Sequence, residues 1–226
     1  MSLSLKLNQS QKQRLLAAAV ALNFLKPRDR GLWKGDTTLK SYSVRPILYA
    51  DTKPFILDLH YAKRMPSISF AFGLFLNDAL VGVVTYGMPA SPWLCKGICG
   101  NENRHLVLEL NRLVLTHNLK NEASFLVGRS LAMLPTPRVI VSYADTAQGH
   151  VGVVYQACNF LFTGTTKPRT DMAAKDGKHS RHHSGDKTNR VARSAKHRYV
   201  TFIGVKKEVA PLRAALQYPT LNYPKK

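Results

Sequence analysis

The side chains best suited to chemistry gather in one stretch, VIVSYADTAQGHVGVVYQACNFLFTG, from Val139 to Gly164. It reads as a buried strand from Arg138, then a polar loop with Asp145 and His150. A helix-length run from Val151 to Asn159 carries Tyr155, and an apolar strand-like piece ends at Thr163. Ligands of open α/β sheets settle beyond the carboxyl ends of the strands. A carboxylate and an imidazole placed there suit general acid–base work. Glu109 and Arg112 interrupt the apolar run HLVLELNRLVLT, where charge costs free energy unless it is paired or used. His60 and Tyr61 follow the helical spacing of Phe55, Ile56 and Leu59, ahead of Lys63, Arg64 and the breaker Pro66.

Each of these residues also has a plain structural role. Asp145 suits the cap of a helix starting near Gly149, and His150 suits the surface beside it. Tyr155, among Val153, Val154 and Ala157, suits a core with its hydroxyl satisfied. His60 suits an exposed helix face, and Glu109 and Arg112 suit opposite faces of a sheet or pairing with other strands. Cys95 and Cys99 lack the further ligands zinc needs and read as ordinary thiols. His179, His182 and His183 offer no defined ligand set, and their basic surroundings suit phosphate better.

Holding these groups in place requires a sheet. Residues 8 to 25 predict a helix capped by Asn8 or Ser10 and closed by Lys26 to Gly31. Tyr42 to Tyr49 alternates as a short strand, and residues 55 to 66 are helical. Residues 68 to 87 read as a β-hairpin turning at Asn77-Asp78, with both arms apolar throughout, as in sheets covered on both faces. Trp93 to Arg104 reads as a long connection and residues 105 to 116 as a central strand. A helix from Ala123 to Leu134 has Asn121 or Ser124 as its cap. Tyr199 to Gly204 is a last strand, with His197 and Arg198 at its start. This order predicts an α+β fold, a mixed central sheet of six or seven strands with helices on both faces.

Charge narrows the partners. Lys and Arg number 33 against 13 Asp and Glu, a net charge of +20, and such a field favours a polyanion such as DNA or RNA. Lys167 to Arg198 is low in apolar residues and cannot order itself by burial. It reads as a flexible basic insertion whose Lys167, Arg169, Lys175, Lys178, Arg181, Lys187, Arg190, Arg193, Lys196 and Arg198 would contact phosphates. No apolar run reaches the length of a membrane span, and the first residues lack a secretory pattern. Three cysteines suit a reducing cytoplasm. A single domain over residues 1–226, with the insertion at 167–198, is expected.

Four pieces then carry a resemblance. They are Leu59-His60-Tyr61-Ala62-Lys63-Arg64-Met65-Pro66; Glu109-Leu110-Asn111-Arg112-Leu113; Asn121-Glu122-Ala123-Ser124; and Ser142-Tyr143-Ala144-Asp145 with Gly149-His150-Val151-Gly152, Tyr155-Gln156-Ala157 and Asn159. With His197-Arg198-Tyr199, and in this order over roughly two thirds of the chain, they resemble the Mom family of phage DNA-modification proteins. The resemblance implies a GNAT-like fold. It implies an enzyme that adds a methylcarbamoyl (acetamido) group to the N6 amine of adenine in double-stranded DNA, protecting phage DNA from restriction. It further implies His60, Tyr61 and Asp145 as an iron site and Arg112, Ser124 and Tyr155 as active-site residues.

The residues suit that chemistry. Asp145, His60 or His150 can serve as the base, and a His, Tyr and Asp set offers ligands compatible with iron. Arg112 can anchor an anionic donor or a phosphate. Tyr61 or Tyr155 can stack on a flipped adenine. GNAT enzymes carry a Gly-rich loop that receives the pyrophosphate of coenzyme A, whereas Thr116 to Ala123 here has no glycine. The carbon donor, acetyl-coenzyme A or another acyl or glycyl donor, is left open, as is the oligomeric state, a homodimer included. Two alternatives stand beside this reading: a non-catalytic nucleic-acid-binding protein on a GNAT-like fold, and an acetyl-coenzyme A-dependent N-acetyltransferase.

Overall fold

The computed structural model describes Leu39, residues 41–172 and residues 190–225; the helix expected at residues 8 to 25 lies outside them. In chain order come β1 (Tyr42–Pro46), α1 (Tyr49–Pro54) and a π-helical turn (Phe55–Leu59). The hairpin β2 (Phe70–Leu76) and β3 (Ala79–Gly87) leads to α2 (Pro92–Cys99), β4 (Val107–Leu115), α3 (Glu122–Met133) and β5 (Arg138–Asp145). Then follow α4 (Val153–Ala157), β6 (Leu161–Thr165), β7 (Arg169–Met172), β8 (Arg190–Arg193), β9 (Lys196–Ile203) and α5 (Lys206–Ala214). Seven strands form one sheet in the order β1-β2-β3-β4-β5-β9-β6. Only β4 and β5 run parallel. This is the expected α+β architecture with a mixed sheet. None of the described helices is long and apolar enough to cross a membrane.

Alternation along the strands sends side chains to two cores. On the first face, Ile140 and Ala144 of β5 and Leu108 and Leu110 of β4 pack with Phe125, Leu126 and Val127 of α3. On the second, Val139 and Val141 of β5 and Val200 and Phe202 of β9 meet Cys95, Ile98 and Cys99 of α2 and Leu212 of α5. A smaller cluster on the same face joins Ile56 of the π-helical turn to Val83 of β3 and Val114 of β4.

Two irregularities shape the middle of the sheet. β4 and β5 pair only from Val107–Val139 to Leu110–Ser142. Beyond that, β4 continues along β3 and β5 along β9, so the sheet splits between them. The register of β3 with β4 also slips, Thr85 facing Arg112 but Tyr86 facing Leu110, which leaves Asn111 as an extra residue, a β-bulge. One extra residue exchanges the faces of everything after it. Leu108 and Leu110 point to the first face, and past the bulge it is Leu113 and Leu115 that join that core while Val114 joins the second. Asn111 fixes the bulge by accepting from Thr85 Oγ1 at 2.6 Å and donating to the Ser67 carbonyl at 2.7 Å.

Several expectations are corrected. Trp93 to Arg104 is not a plain connection, because Cys95, Ile98 and Cys99 bury one stripe of α2 behind Pro92 at its start. The helix assigned to residues 55–66 begins at Tyr49 and ends at Leu59, and the first strand stops at Pro46. Of the two cap candidates, Asn121 takes the N-cap position of α3, while Ser124 lies inside the helix. Asn121 is left-handed with no side-chain cap bond, and the Glu122 carboxylate accepts from Leu119 N at 2.7 Å instead. The helix expected from Val151 shrinks to Val153–Ala157. Both described ends of the basic insertion are ordered, since β7 and β8 pair as a two-stranded ribbon.

Candidate active site

The bulge decides which charged groups meet. Glu109, before it, and Arg112, after it, both project to the second face rather than to opposite ones. Alternation along β5 and β9 sends Tyr143, Asp145 and Lys196 to the same face, beside Val141 and Val200. These side chains therefore stand where the sheet splits, between the two clusters of that face.

Asp145 is firmly held. Its Oδ2 accepts from Lys196 Nζ at 2.5 Å. Its Oδ1 accepts from Ala147 N at 3.1 Å and from the Ser194 hydroxyl. Burial pushes its pKa up, but the hydrogen bonds from Lys196 and Ser194 and the Lys196 charge outweigh that and hold the carboxyl below its ordinary range. Thr146 adds two bonds from its N–H and hydroxyl to the Ala195 carbonyl, at 3.2 and 2.7 Å. Asp145 thus caps the short 3-10 turn Thr146–Gln148 and pins the end of the basic insertion to the end of β5.

Glu109 behaves differently. Desolvation raises its pKa to about 7, against the pull of Arg112, Lys196 and the Ala90 N–H. Among the described residues, no cation closes on it as Lys196 closes on Asp145. Arg112 donates to the carbonyls of Asn111 and Arg64 at 2.6 and 2.8 Å. Its Nε is buried with no hydrogen-bond partner among the described residues. The bond to Arg64 also ties the loop after the π-helical turn to β4.

That loop presents His60 and Tyr61, and π-helical turns are frequent at functional sites. The two rings stack with centroids 4.4 Å apart, and Tyr61 and His150 meet in a T-shaped arrangement with centroids 6.2 Å apart. Burial first, then the charges of Arg112, His150 and Lys196, lower the His60 pKa to about 4. Nδ1 of His60 accepts from Ala62 N at 3.0 Å, so the neutral ring carries its proton on Nε2, leaving that nitrogen as a donor. Tyr155 reaches the split from the first face. Its ring packs on Phe160 and Tyr199 at 5.5 and 5.3 Å, its hydroxyl is bonded to Ser142, and burial lifts its pKa to about 12. Ser142 in turn donates to the Leu110 carbonyl across the split at 2.9 Å.

The structure thus gathers His60, Tyr61, Glu109, Arg112, Asp145, His150, Tyr155 and Lys196 within electrostatic reach of one another at the split between β4 and β5. Ser124 is not brought into hydrogen-bond contact with them. It is buried in the first turn of α3, its hydroxyl on the Asn121 carbonyl at 3.1 Å and its own carbonyl against the Cys158 thiol. Among the basic candidates, Lys167, Arg169 and Arg190 are exposed and Arg193 lies on the ribbon. Lys175, Lys178, Arg181 and Lys187 fall outside the described residues. Lys196 and Arg198 are engaged internally. Lys196 holds Asp145, and Arg198 donates to Thr163 at 2.9 and 2.7 Å with its guanidinium 3.3 Å from the Tyr218 ring centre. The site role of Glu109 and the Lys196–Asp145 pairing were not singled out from sequence. The one available signal was a carboxylate inside an apolar run.

Gly152, at the start of α4, stands where a side chain does not fit. It has φ +76°, and a Cβ there would lie 2.4 Å from the Tyr199 ring, whose hydroxyl is fixed on the Val151 carbonyl at 2.5 Å. Gly152→Ala is expected to lower the unfolding free energy by about 2–4 kcal/mol, from left-handed backbone strain plus overpacking. Urea denaturation checks it.

The iron site implied by the resemblance does not fit these side chains. Both carboxylate oxygens of Asp145 are taken, one of them by the Lys196 ammonium group. Among the described residues, no group of three or more His, Cys, Asp or Glu is arranged to hold an ion. The usual coenzyme A pyrophosphate placement fits poorly as well. The turn before α3 lacks glycine, and the Glu122 carboxylate, buried and bonded to Leu119 N and the Tyr42 hydroxyl, already fills the start of that helix.

A model described as the Mom protein family matches residues 41–225. The methylcarbamoylase mom of Escherichia phage Mu is 31% identical over 112 residues, 47% of this chain and 46% of that protein. The chain therefore spans about half the length of the curated relative it matches. Among solved structures, an N-acetyltransferase from Staphylococcus aureus is 15% identical, covering 71% of this chain and 98% of that one, with a TM-score of 0.44. The yncA protein from Salmonella typhimurium, solved with acetyl-CoA, is 10% identical, covering 73% and 95%, with a TM-score of 0.45.

Proposed function

The chain belongs to the Mom protein family, and from that premise we propose that it is a DNA-modifying transferase, adding a methylcarbamoyl (acetamido) group to N6 of adenine and so shielding phage DNA from restriction. The observation that supports the reading is the joint one: a family match across the described part of the chain, with His60, Tyr61, Arg112, Asp145 and Tyr155 linked by electrostatic contacts at the split between β4 and β5. The +20 charge supports a nucleic-acid substrate.

Adenine N6 is a poor nucleophile and must lose a proton as it attacks. The bond from N6 to the donor carbon forms as the bond from that carbon to its leaving group breaks, and a base takes the N6 proton. Asp145 is a weak base here, locked by Lys196. His60, with its pKa near 4 and Nδ1 occupied, acts better as a donor. Glu109, near neutrality, is the base matched to the task. The half-exposed Tyr61 ring offers a stacking surface for an adenine extruded from the duplex. Arg112, with its buried and unbonded Nε, supplies positive charge at the donor end of the split. The donor itself is an activated acyl or glycyl carbon whose anchoring does not depend on a Gly-rich pyrophosphate loop.

Nucleosides from DNA of cells expressing the chain are expected to include an adenosine heavier by the added group, detected by mass spectrometry. Only unmodified deoxyadenosine, from cells with folded protein and DNA known to be modifiable by the phage Mu relative, would overturn the proposal.

A further inference from the structure

Outside the site, α2 carries the most exposed large aromatic residue of the described chain. Trp93 is 78% exposed. It lines a shallow recess with Pro92, Lys96, Asn101 and Arg104. Lys96 sits one turn on, its ammonium 5.7 Å from the indole ring centre. The other large hydrophobic side chains of α2 face inward, with Ile98 and Cys99 fully buried, so the packing of the helix does not require an indole on its outer face. An indole flanked by two cations and an amide has the parts of a nucleotide site: a ring face for a base, positive charge for its phosphates, and an amide for base-edge hydrogen bonds.

The recess also shares helix α2 with the surroundings of Glu109. Ala90, just before the helix, donates its N–H to Glu109, and Cys95 of the helix lies within electrostatic reach of both Glu109 and Arg104. Helix α2 and the residue before it thus border both the recess and the surroundings of Glu109.

We propose that the Trp93 recess binds an unstacked nucleotide of the DNA substrate, next to the adenine presented to Glu109, with the base on the indole and its phosphates on Lys96 and Arg104. The inference rests on the DNA-modification reading and adds a second contact to it. Extruding one adenine leaves neighbouring bases without a stacking partner, and an aromatic platform recovers part of that loss. Asn101 then faces the edge of the held base.

The full-length chain tests this in two ways. With Trp33→Phe, Trp93 is the remaining tryptophan of the two in the sequence, and its fluorescence is expected to fall on adding single-stranded oligodeoxynucleotide. In the otherwise natural chain, Trp93→Ala is expected to weaken binding of a labelled oligonucleotide about 10-fold, and Trp93→Phe much less, as for other base–aromatic stacks. Because the side chain is solvent-exposed, both variants keep the core intact. If Trp93→Ala binds and modifies DNA as the natural chain does, with no quenching in the Trp33→Phe protein, the recess proposal fails and the modification reading survives. If the natural chain neither binds nor modifies DNA, both fail together.

Discussion

Glu109→Gln is expected to lower adenine modification by about 100- to 10,000-fold, the range for removing a general base, while DNA affinity stays intact. Gln keeps the shape and the bond from Ala90 but cannot take the N6 proton. The pH dependence separates this from a packing defect. With a native pKa near 7, the rate for the natural chain rises with pH and levels off above about 7, whereas the residual rate of the Gln variant loses that inflection. Stability moves the other way. A carboxyl whose native pKa is raised from 4.5 contributes fully below the unfolded value, and that contribution is lost as pH rises through the native one. The Gln variant should therefore be no less stable than the natural chain above pH 7, by urea denaturation. A variant as active as the natural chain with the same pH profile would remove Glu109 from the mechanism.

The second large effect is on the Asp145–Lys196 pair. Lys196→Ala is expected to lower the unfolding free energy by about 2–4 kcal/mol, between the exposed and fully buried cases, because one side chain is nearly buried and the other partly open. Most of that cost is the Asp145 carboxylate left without its cation. Replacing both residues, Asp145→Asn with Lys196→Met, should recover part of the loss, and the coupling shows in a double-mutant cycle. The pKa of Asp145 is depressed, so the pair's contribution is complete above the unfolded value of 3.8 and is lost as pH falls through the lower native one. Iron ligation predicts the reverse for Lys196→Ala, a site freed of a competing cation, with iron uptake as its readout. Loss of modification in Asp145→Asn therefore identifies a catalytic role only when compared with Lys196→Ala, which disturbs the same anchor from the other side.

The sequence by itself determined the secondary elements that rest on local pattern. The alternating and apolar runs of β2 to β5, the turn at Asn77-Asp78 and the body of α3 were all legible, since hydrophobic period and turn chemistry are encoded within a few residues. The order of those elements carried the mixed sheet, and the motif pieces carried the family. Helix α2 was missed because its buried stripe is short and two of its three residues are cysteine. The ribbon at the ends of the insertion was missed because a basic, apolar-poor run has no core of its own and is ordered by pairing.

The site depended on contacts that sequence does not display. Spacing alone places Glu109 and Arg112 on opposite faces of a strand, and one bulged residue, Asn111, held by Thr85 and Ser67, puts them on the same one. From sequence, Asp145 reads as a metal ligand, a base or a helix cap, and the cap is the role its contacts show. Its partner is Lys196, 51 residues away, set opposite it by the antiparallel register of β5 and β9. Ionisation follows from those placements: the carboxylate that closes on an ammonium group becomes an anchor, and the one left in a poorly solvated split is tuned to exchange a proton at neutral pH. Local pattern supplies residue types, but register and burial assign their roles, because both depend on which distant strand lies alongside.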